Sequence, residues 1–564
     1  MKTITKNPIV LFWYYILVNM APSFYFAMTQ PVDGLGKLTI LFFPLGLYML
    51  IFSVLKNTGF SLLLTFPLLF LHAFQIVLFY LYGEDGIAVD MFLNVASTNT
   101  SEINELLSSL LPSIALVLVL YVPVLVFAIR QWIQKSYLSN IFRRKTQLSA
   151  TLFLVLALLL SAFSTLKNND PLIFKNDIYP INAINNLVLA IRKIDKIKHY
   201  RETSNLFKFD AKRESSDLSK RQIYVLVVGE TGRADNWSLY GYHRETNPCL
   251  KRQRNLIVFK DALTQSNTTH KSVSILLSDV KITDYNSIYK RKGIVEAFNE
   301  TGFTTISLSN QAENGSFIEY FTKSAKVYKT LRTTNKKTGV TQNHYDEELI
   351  PLMQKQIQEN KGDLLILLHT YGSHFKYMDR YPEQFRKYTP DHISNVSRSE
   401  QDRLVNAYDN TILYTDHFLS STIDALNKTG ANVALLYTSD HGEDLMDDNR
   451  NKFLHASPTP TYYQLRIPFI MWFSDSYVAD HKNAIQAARI NSKKPISSNA
   501  VFHTMLNAAQ LYSPYLDTTL SLIHKDFKIA PRLYLNDHDI AVPYRKMNLK
   551  QMDIEMLEKN GIKN

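Results

Sequence analysis

Apolar residues are concentrated in the first 170 positions of the 564-residue chain. They form five segments, at residues 8–28, 38–55, 59–82, 111–129 and 148–166. Each segment has about the 20 residues that a helix needs to cross the hydrocarbon core of a bilayer. A cleaved signal peptide would explain the first segment but not five in series. The pattern therefore predicts a transmembrane domain of five helices over residues 1–167.

The placement of charged residues predicts how these helices are oriented. Cytoplasmic loops collect Lys and Arg, and the loop RQWIQKSYLSNIFRRKTQ between the fourth and fifth segments has five basic residues and no acidic one. Lys2 and Lys6 precede the first segment. We expect a cytoplasmic N-terminus, and an odd number of spans then puts everything after about residue 167 outside the cytoplasm.

Residues 168–220 are polar and basic, and we expect them to connect the membrane domain to an outer domain. Ile184, Ala190, Ile191 and Ile194 recur there at helical spacing, which is typical of an amphipathic helix lying on a bilayer. An ordinary helix packed on the outer domain fits the same pattern. The second half is charged and rich in serine, as linkers are.

Residues 221–564 alternate short apolar runs with helical stretches. The runs lie at 223–228, 303–308, 363–368, 432–437 and 467–473. They are apolar throughout, which indicates strands buried on both faces of a sheet. We predict an α/β domain with a mostly parallel central sheet covered by helices.

Polar clusters follow three of these runs: GET, HTYGSH and SDHGE. Ligands bind at the carboxyl ends of strands in α/β sheets, so we expect the three clusters to meet at one site. Glu230, Asp440 and His441 then supply oxygen and nitrogen ligands that suit Zn²⁺ and also Mn²⁺.

Thr268 and Thr269 precede the run SVSILL, which predicts the start of a helix. A hydroxyl beside a helix N-terminus and a cation is suited to nucleophilic attack, because both stabilise negative charge on its oxygen. Threonines before a helix are mostly N-caps. The pattern alone does not separate these roles.

Composition narrows the classes of partner. The chain has 62 Lys and Arg against 50 Asp and Glu, a net charge of +12. Outside a membrane this excess favours anionic lipid headgroups over nucleic acid. Cys249 is the single cysteine, so the outer domain must rely on its core or on a metal instead of an internal disulfide framework.

The motifs VLVVGETGRADNWSLYGYHRETNPCL, HTYGSHFKYMDRYPEQF and SDHGE resemble those of bacterial phosphoethanolamine transferases in the alkaline phosphatase and sulfatase superfamily. The resemblance covers nearly the whole chain. It implies a multi-pass protein of the bacterial inner membrane with a periplasmic, zinc-dependent catalytic domain at residues 221–564. One zinc ion is expected to be tightly bound, with a second left open.

The same resemblance implies the substrates. Phosphatidylethanolamine is the expected donor and lipopolysaccharide the acceptor, with transfer through a phosphothreonine-type intermediate in a monomeric enzyme. The cysteine-poor pattern is most similar to the branch that modifies the core heptose, and lipid A stays open as an acceptor.

Carried over by position, Glu230, Thr269, Asp440 and His441 match the zinc ligands, and Thr269 also matches the nucleophile. A departure concerns this nucleophile: colistin-resistance members flank it with cysteines in a disulfide-braced motif, whereas SNTTHKSVS has none. The choice between Thr268 and Thr269 therefore stays open.

Further residues match positions that contact substrate. His374 and His455 match histidines that bind substrate phosphate, a second zinc or the departing group, and we expect them to be catalytic. Glu443 matches an acidic residue of the SDHGE motif, expected at the substrate.

Asn94, Thr98 and Glu102 match a segment that holds the lipid donor, and their spacing by four places them on one face of a helix. A polar connecting loop is the alternative for this segment.

Other functions share several of these features. A phosphoglycerol transferase of the lipoteichoic-acid synthase type also has five spans, a metal and a threonine nucleophile. A membrane-anchored hydrolase of the sulfatase fold is a further alternative. A non-enzymatic membrane scaffold would hold no stoichiometric zinc.

Overall fold

The computed structural model describes residues 7–83, 86–97, 110–168, 174–214, 220–333, 341–394, 396–547 and 549–562. The chain divides into two compact units: the first comprises residues 1–92 and 107–192, and the second residues 93–106 and 193–564. The predicted domain boundaries near residues 167 and 220 stay predictions.

The first unit is helical. Among the described residues up to residue 198, the helices are Pro8–Asn19, Ala21–Thr29, Gly34–Val54, Thr58–Leu64, Phe66–Tyr82, Val89–Ser97, Leu111–Ile133, Asn140–Asn168, Phe174–Asp177 and Ile181–Lys198. Three of these, beginning at Gly34, Leu111 and Asn140, are long and apolar enough to cross a membrane. Two bent pairs, residues 8–29 and 58–82, qualify only when each pair is counted as one span. The described residues thus hold three to five candidate spans.

The first and third predicted spans are broken, which the apolar pattern did not predict. The two pairs bend by 41° and 69°, and each second half carries a proline at its second position, Pro22 and Pro67. Proline has no N–H to donate to the preceding turn, so it favours the start of a helix. Pro44 and Pro123 lie inside unbroken helices, so proline alone does not decide where a span breaks.

The second unit is built around a sheet. In chain order the strands of the described residues are β1 Lys212–Arg213, β2 Gln222–Gly229, β3 Leu256–Val258, β4 Ala262–Leu263, β5 Thr304–Ser309, β6 Val327–Thr330, β7 Leu364–His369, β8 Asn432–Ser439, β9 Asp444–Leu445, β10 Phe453–Leu454, β11 Phe469–Phe473, β12 Ile496–Ser497, β13 Leu511–Tyr512, β14 Leu533–Leu535 and β15 Ala541–Pro543. Seven of these form one sheet in the order β3-β11-β8-β2-β7-β5-β6.

Helices accompany this sheet. They are Tyr200–Thr203, Thr269–Leu276, Ile294–Glu300, Phe317–Thr322, Leu349–Glu359, Gln401–Asn427, Tyr462–Leu465, Asp475–Asp480, Lys482–Asn491, Ala500–Ala508 and Gln551–Lys559. All five predicted apolar runs are strands, and β2, β7, β8 and β11 are buried along their whole length. The prediction of an α/β domain with a mostly parallel sheet is confirmed.

The register of the central strands brings their ends level. Neighbours β8, β2, β7, β5 and β6 run parallel, whereas β11 is antiparallel to both β8 and β3. Gly229 at the end of β2 pairs with Ser439 at the end of β8, and Val228 pairs with His369 at the end of β7. The polar clusters after these three strands therefore start side by side.

We predict that Leu436→Ala lowers the free energy of unfolding by roughly 2–5 kcal/mol, since a buried leucine in β8 leaves a cavity when it is truncated. Leu206→Ala is the matched control, because Leu206 is 92% exposed. Denaturant unfolding of the full-length protein in detergent measures both. Equal losses in the two variants would contradict the assignment of Leu436 to the core.

Candidate active site

The site forms where β2 and β8 end. Glu230 follows β2, and Asp440 and His441 follow β8, and all three side chains are buried. Thr269 is the first residue of the helix Thr269–Leu276. Its hydroxyl donates to Glu230 Oε1 at 3.1 Å and lies 3.1 Å from His441 Nε2. The structure therefore brings together the four residues that the sequence predicted as metal ligands.

The structure separates the two candidate threonines. The Thr268 hydroxyl lies 3.1 Å from the Ser266 hydroxyl, whereas that of Thr269 contacts Glu230 and His441. Thr268 occupies the N-cap position of the helix but makes no capping hydrogen bond with its side chain. Thr269 is thus the residue with a hydroxyl at the cluster of acidic and imidazole groups.

Asp440 and His441 point hydrogen-bond acceptors at each other. The His441 Nδ1 lies 2.9 Å from the Gly442 carbonyl oxygen, which only accepts, so Nδ1 carries the proton and Nε2 keeps a lone pair. Asp440 Oδ2 lies 3.1 Å from that Nε2 and, among the described residues, meets no donor in hydrogen-bond geometry. A proton or a cation between the two atoms would satisfy both, so these residues fit a metal ion.

His455 joins this cluster. One ligand atom each from Glu230, His441 and His455 lie within 4.8 Å of one another, and the rings of His441 and His455 are 4.2 Å apart. The Nδ1 of His455 lies 3.1 Å from Glu443 Oε1. A carboxylate behind a histidine in this way holds the ring with its Nε2 turned outwards.

Glu443 is buried, and both of its oxygens are used. Oε1 faces His455, and Oε2 accepts the Tyr377 hydroxyl at 2.6 Å. The expectation that Glu443 contacts substrate stays a prediction, and in the structure its carboxylate lies behind His455.

His374 lies near His455 on the loop that follows β7. Its ring centroid is 6.3 Å from that of His455, and its Nδ1 lies 2.5 Å from the Phe375 carbonyl oxygen. Arg380 donates to the carbonyl oxygens of His374 and Phe375 at 2.9 and 3.0 Å, which fixes this loop. Desolvation, Arg380 and His455 lower the pKa of His374 well below its usual value, so its ring is neutral near pH 7.

The electrostatics of the cluster follow from its burial. Burial raises the pKa of Asp440 to about 7, although hydrogen bonds from the backbone N–H groups of Thr231 and His441 act to lower it. Burial and the neighbouring His455 lower the pKa of His441 well below its usual value. Without a cation Asp440 and His441 therefore favour their uncharged forms, and a cation would favour the ionised carboxylate of Asp440.

Sequence reasoning missed two residues that orient the site. Gln311 donates to Glu230 Oε2 at 3.2 Å and to the Thr370 carbonyl oxygen at 2.9 Å. It follows β5 at the same sheet edge, so the rule that located Glu230 also points to Gln311. The Asp346 carboxylate accepts the N–H groups of Tyr371 and Gly372 at 2.8 and 3.0 Å. No sequence pattern signals Asp346, because it lies before a helix and not after a strand.

The backbone is strained beside the catalytic candidates. Thr231, directly after Glu230, has φ +52°, and Leu454 and Ala456 on either side of His455 have φ +68° and +63°. Such left-handed conformations cost free energy in residues with a side chain and recur at functional sites. Gly372 also has a positive φ of +51°, and a Cβ there would lie 2.7 Å from the Glu230 carbonyl oxygen.

The predicted donor-binding segment is described only in part. Asn94 lies on the helix Val89–Ser97 and belongs to the second unit. Thr98 and Glu102 lie outside the described residues. The shared helical face of these three residues stays a prediction.

Comparison with known families classifies the chain. Residues 222–511 match the model of the sulfatase family, which is more than half of the chain. The chain belongs to the sulfatase family.

Individual proteins similar to this chain carry names that describe phosphoethanolamine transfer. The Kdo(2)-lipid A phosphoethanolamine 7''-transferase of Salmonella typhimurium is 30% identical over 277 residues, which is 48% of this chain and 48% of that relative. The chain thus spans about half the length of this curated relative.

Two solved structures share the fold. The periplasmic domain of Escherichia coli EptC, in complex with zinc, is 26% identical and matches 60% of this chain and 96% of that domain with a TM-score of 0.54. The integral membrane protein lipooligosaccharide phosphoethanolamine transferase A of Neisseria meningitidis is 23% identical and matches 92% of this chain and 98% of its own, with a TM-score of 0.72. The prediction of membrane helices followed by a sulfatase-like domain is confirmed.

We predict that Gly372→Ala destabilises the protein more than Gly430→Ala does. Both glycines have a positive φ, but no atom lies within 4 Å of a Cβ added at Gly430. Gly430→Ala should lower the free energy of unfolding by about 1 kcal/mol through its backbone conformation alone. Gly372→Ala should lower it by more, because the added Cβ displaces Glu230. Denaturant unfolding measures the difference, and equal costs would contradict the close approach.

Asp440 should give the metal-free protein a distinctive pH dependence. Its folded pKa of about 7 lies above the usual value near 3.9, so the folded state holds a proton that the unfolded state loses. Stability from this group is present at low pH and is lost as pH rises from about 4 to 7.

The difference in unfolding free energy between wild type and Asp440→Asn isolates this contribution. In the presence of a chelator, wild type should weaken relative to the variant by up to about 1.4 kcal/mol per pH unit in that window. A difference that stays constant with pH would show that Asp440 is ionised throughout.

Proposed function

We propose that the protein transfers phosphoethanolamine from phosphatidylethanolamine to lipopolysaccharide, on core heptose or lipid A. The observation that carries this proposal is the contact of the Thr269 hydroxyl with the buried Glu230 and with the Nε2 of His441, which Asp440 also faces. The name of the Salmonella typhimurium relative supports the transferred group and the class of acceptor.

Glu230, Thr269, Asp440 and His441 are proposed to hold one zinc ion. Imidazole nitrogen mixed with carboxylate oxygen suits Zn²⁺, and Mn²⁺ less well. The zinc complex of the Escherichia coli EptC domain supports this choice. When bound, the ion lowers the pKa of the Thr269 hydroxyl and offsets negative charge on the phosphoryl oxygens. A second zinc ion beside His374 and His455 is the alternative to a purely catalytic role of these histidines.

In the first proposed step, the Thr269 oxygen attacks the phosphorus of the donor. A bond from phosphorus to Thr269 forms, and the bond from phosphorus to the diacylglycerol oxygen breaks. The Thr269 proton passes to solvent, and the departing oxygen takes a proton from His455. Its position supports this role, because Glu443 holds Nδ1 and turns Nε2 towards the cluster.

In the second proposed step, an acceptor hydroxyl attacks the phosphorus of phosphoethanolamine-threonine. The bond from phosphorus to Thr269 breaks, and the Thr269 oxygen takes a proton from solvent, which restores its hydroxyl. His374 takes the proton of the acceptor hydroxyl, since its lowered pKa keeps the ring neutral and able to accept. Asn94, Thr98 and Glu102 are proposed to bind the donor.

The proposed location follows from the substrates. Both lipids belong to membranes, so helices that hold the chain in the bacterial inner membrane raise the concentration of substrate at the site. The N-terminus is proposed to be cytoplasmic, the catalytic unit periplasmic and the protein monomeric.

We predict that intact-mass analysis after expression in a host containing phosphatidylethanolamine shows a phosphoethanolamine adduct on wild type that Thr269→Ala lacks. Transfer should fall at least about a thousandfold in Thr269→Ala, because the variant lacks the proposed nucleophile.

Thr268→Ala is the matched control, and it should keep both the adduct and most of the activity. An adduct that persists in Thr269→Ala would contradict the assignment. A glycerophosphate adduct in place of phosphoethanolamine would instead support a phosphoglycerol transferase.

A further inference from the structure

Asn267 lies two residues before Thr269, on the segment that leads into the helix of the proposed nucleophile. Its side chain is buried and makes three hydrogen bonds. Nδ2 donates to the Ser457 carbonyl oxygen at 2.8 Å and to Gln464 Oε1 at 2.6 Å, and Oδ1 accepts the Tyr534 hydroxyl at 2.6 Å. The amide nitrogen and the amide oxygen are therefore both used.

An amide side chain fits these three partners. The Ser457 carbonyl oxygen accepts and cannot donate, which fixes the nitrogen of Asn267 on that side and its oxygen towards Tyr534. A carboxylate in this place would set acceptors against Ser457 and Gln464, and an apolar side chain would lose all three hydrogen bonds. The contacts thus depend on the particular side chain of Asn267.

Two hydrogen bonds join Asn267 to the loop that carries His455. One is the side-chain bond to Ser457, two residues after His455. In the other, the N–H of Ala456 donates to the Asn267 carbonyl oxygen at 3.1 Å. Leu454 and Ala456 on either side of the histidine have left-handed backbone conformations, which are unfavourable by themselves. The loop therefore depends on contacts with other segments to keep its shape.

The bond to Gln464 joins Asn267 to the loop of His441 as well. The Gln464 carbonyl oxygen accepts the Gly442 N–H at 2.9 Å, and Gln464 Nε2 donates to Asp444 Oδ2 at 2.6 Å. Both of these partners lie within three residues of His441. Asn267 therefore connects three loops whose side chains meet at the candidate active site.

We propose that Asn267 is a positioning residue that sets the place of the His455 imidazole relative to the Thr269 oxygen. The proposal rests on the proposed function, in which His455 gives a proton to the departing oxygen. Truncation of the amide removes no contact of Thr269 with Glu230 or His441. It releases the loop after His455, so the loss should fall on proton transfer to the leaving group.

The test compares two donors whose leaving groups differ in their need for a proton. Diacylglycerol departs from phosphatidylethanolamine through a basic oxygen that must be protonated. Nitrophenolate departs from p-nitrophenyl phosphoethanolamine as a stable anion. The full-length protein in detergent is assayed with both donors, and kcat/KM for the donor covers the steps up to departure of the leaving group.

Asn267→Ala removes the amide, and Asn491→Ala is the matched control. Asn491 is also buried, and its Nδ2 donates to the carbonyl oxygens of Leu522 and His524 at 3.0 and 3.1 Å, outside the loops of the candidate active site. Tyr534→Phe is a milder variant, because it removes one hydrogen bond of Asn267 and keeps the aromatic ring.

The expected result is a loss that depends on the leaving group. Asn267→Ala should lower kcat/KM for phosphatidylethanolamine about a hundredfold, since a displacement of about 1 Å slows a reaction by that factor. The value for the nitrophenyl donor should change little, which also shows that the variant is folded. Tyr534→Phe should show the same selectivity with a smaller loss, and Asn491→Ala should leave the ratio of the two donors at its wild-type value.

A double-mutant cycle gives a second readout that needs only phosphatidylethanolamine. His455→Ala removes the proposed acid, so Asn267→Ala should have little further effect in that background. Losses that add would contradict the inference, as would equal losses with both donors or unchanged kinetics in Asn267→Ala. Failure of the wild type to transfer phosphoethanolamine from phosphatidylethanolamine would contradict the proposed function itself, and the inference with it.

Discussion

The site depends on one constraint: two hydrogen-bond acceptors are held face to face in the protein interior. Asp440 Oδ2 and His441 Nε2 lie 3.1 Å apart, and the Gly442 carbonyl oxygen fixes the His441 tautomer that turns a lone pair towards the carboxylate. In low dielectric this arrangement is unfavourable unless positive charge lies between the two atoms. The fold therefore favours the binding of a proton or a cation between these two atoms, beside the Thr269 hydroxyl.

The fold keeps this arrangement by supporting each group from behind. Gln311 donates to Glu230, and the Tyr377 hydroxyl donates to Glu443, which holds His455. The strained backbone at Thr231 belongs to the same support, because its N–H donates to Asp440 at 3.0 Å. A site preorganised in this way stabilises developing charge without rearrangement during reaction.

Much of this architecture could be predicted from patterns along the chain. Runs such as residues 223–228 and 432–437 predict buried strands because burial on both faces leaves no polar alternation, and the carboxyl-end rule then locates Glu230, Asp440 and His441. The direction of β11 could not be predicted, since an apolar run reads the same for either orientation. The short edge strands β3 and β6 were missed for lack of a long apolar run.

Other features depend on contacts between distant parts of the chain. The sequence does not distinguish Thr268 from Thr269 as the candidate nucleophile, and only the direction of each hydroxyl in the structure does. His455 is 14 positions beyond His441 in the sequence, yet its ligand atom lies with those of Glu230 and His441. Asp539 forms ion pairs with both Lys193 and Lys271, and the separation of these residues along the chain leaves no local pattern to detect.

The most direct measurement of the central claim is zinc-edge X-ray absorption on the purified full-length protein. We predict one tightly bound zinc ion whose nearest neighbours are nitrogen and oxygen at about 2.0–2.2 Å, with imidazole scattering from His441 and no sulfur. A protein without stoichiometric zinc, or zinc bound without an imidazole ligand, would contradict it.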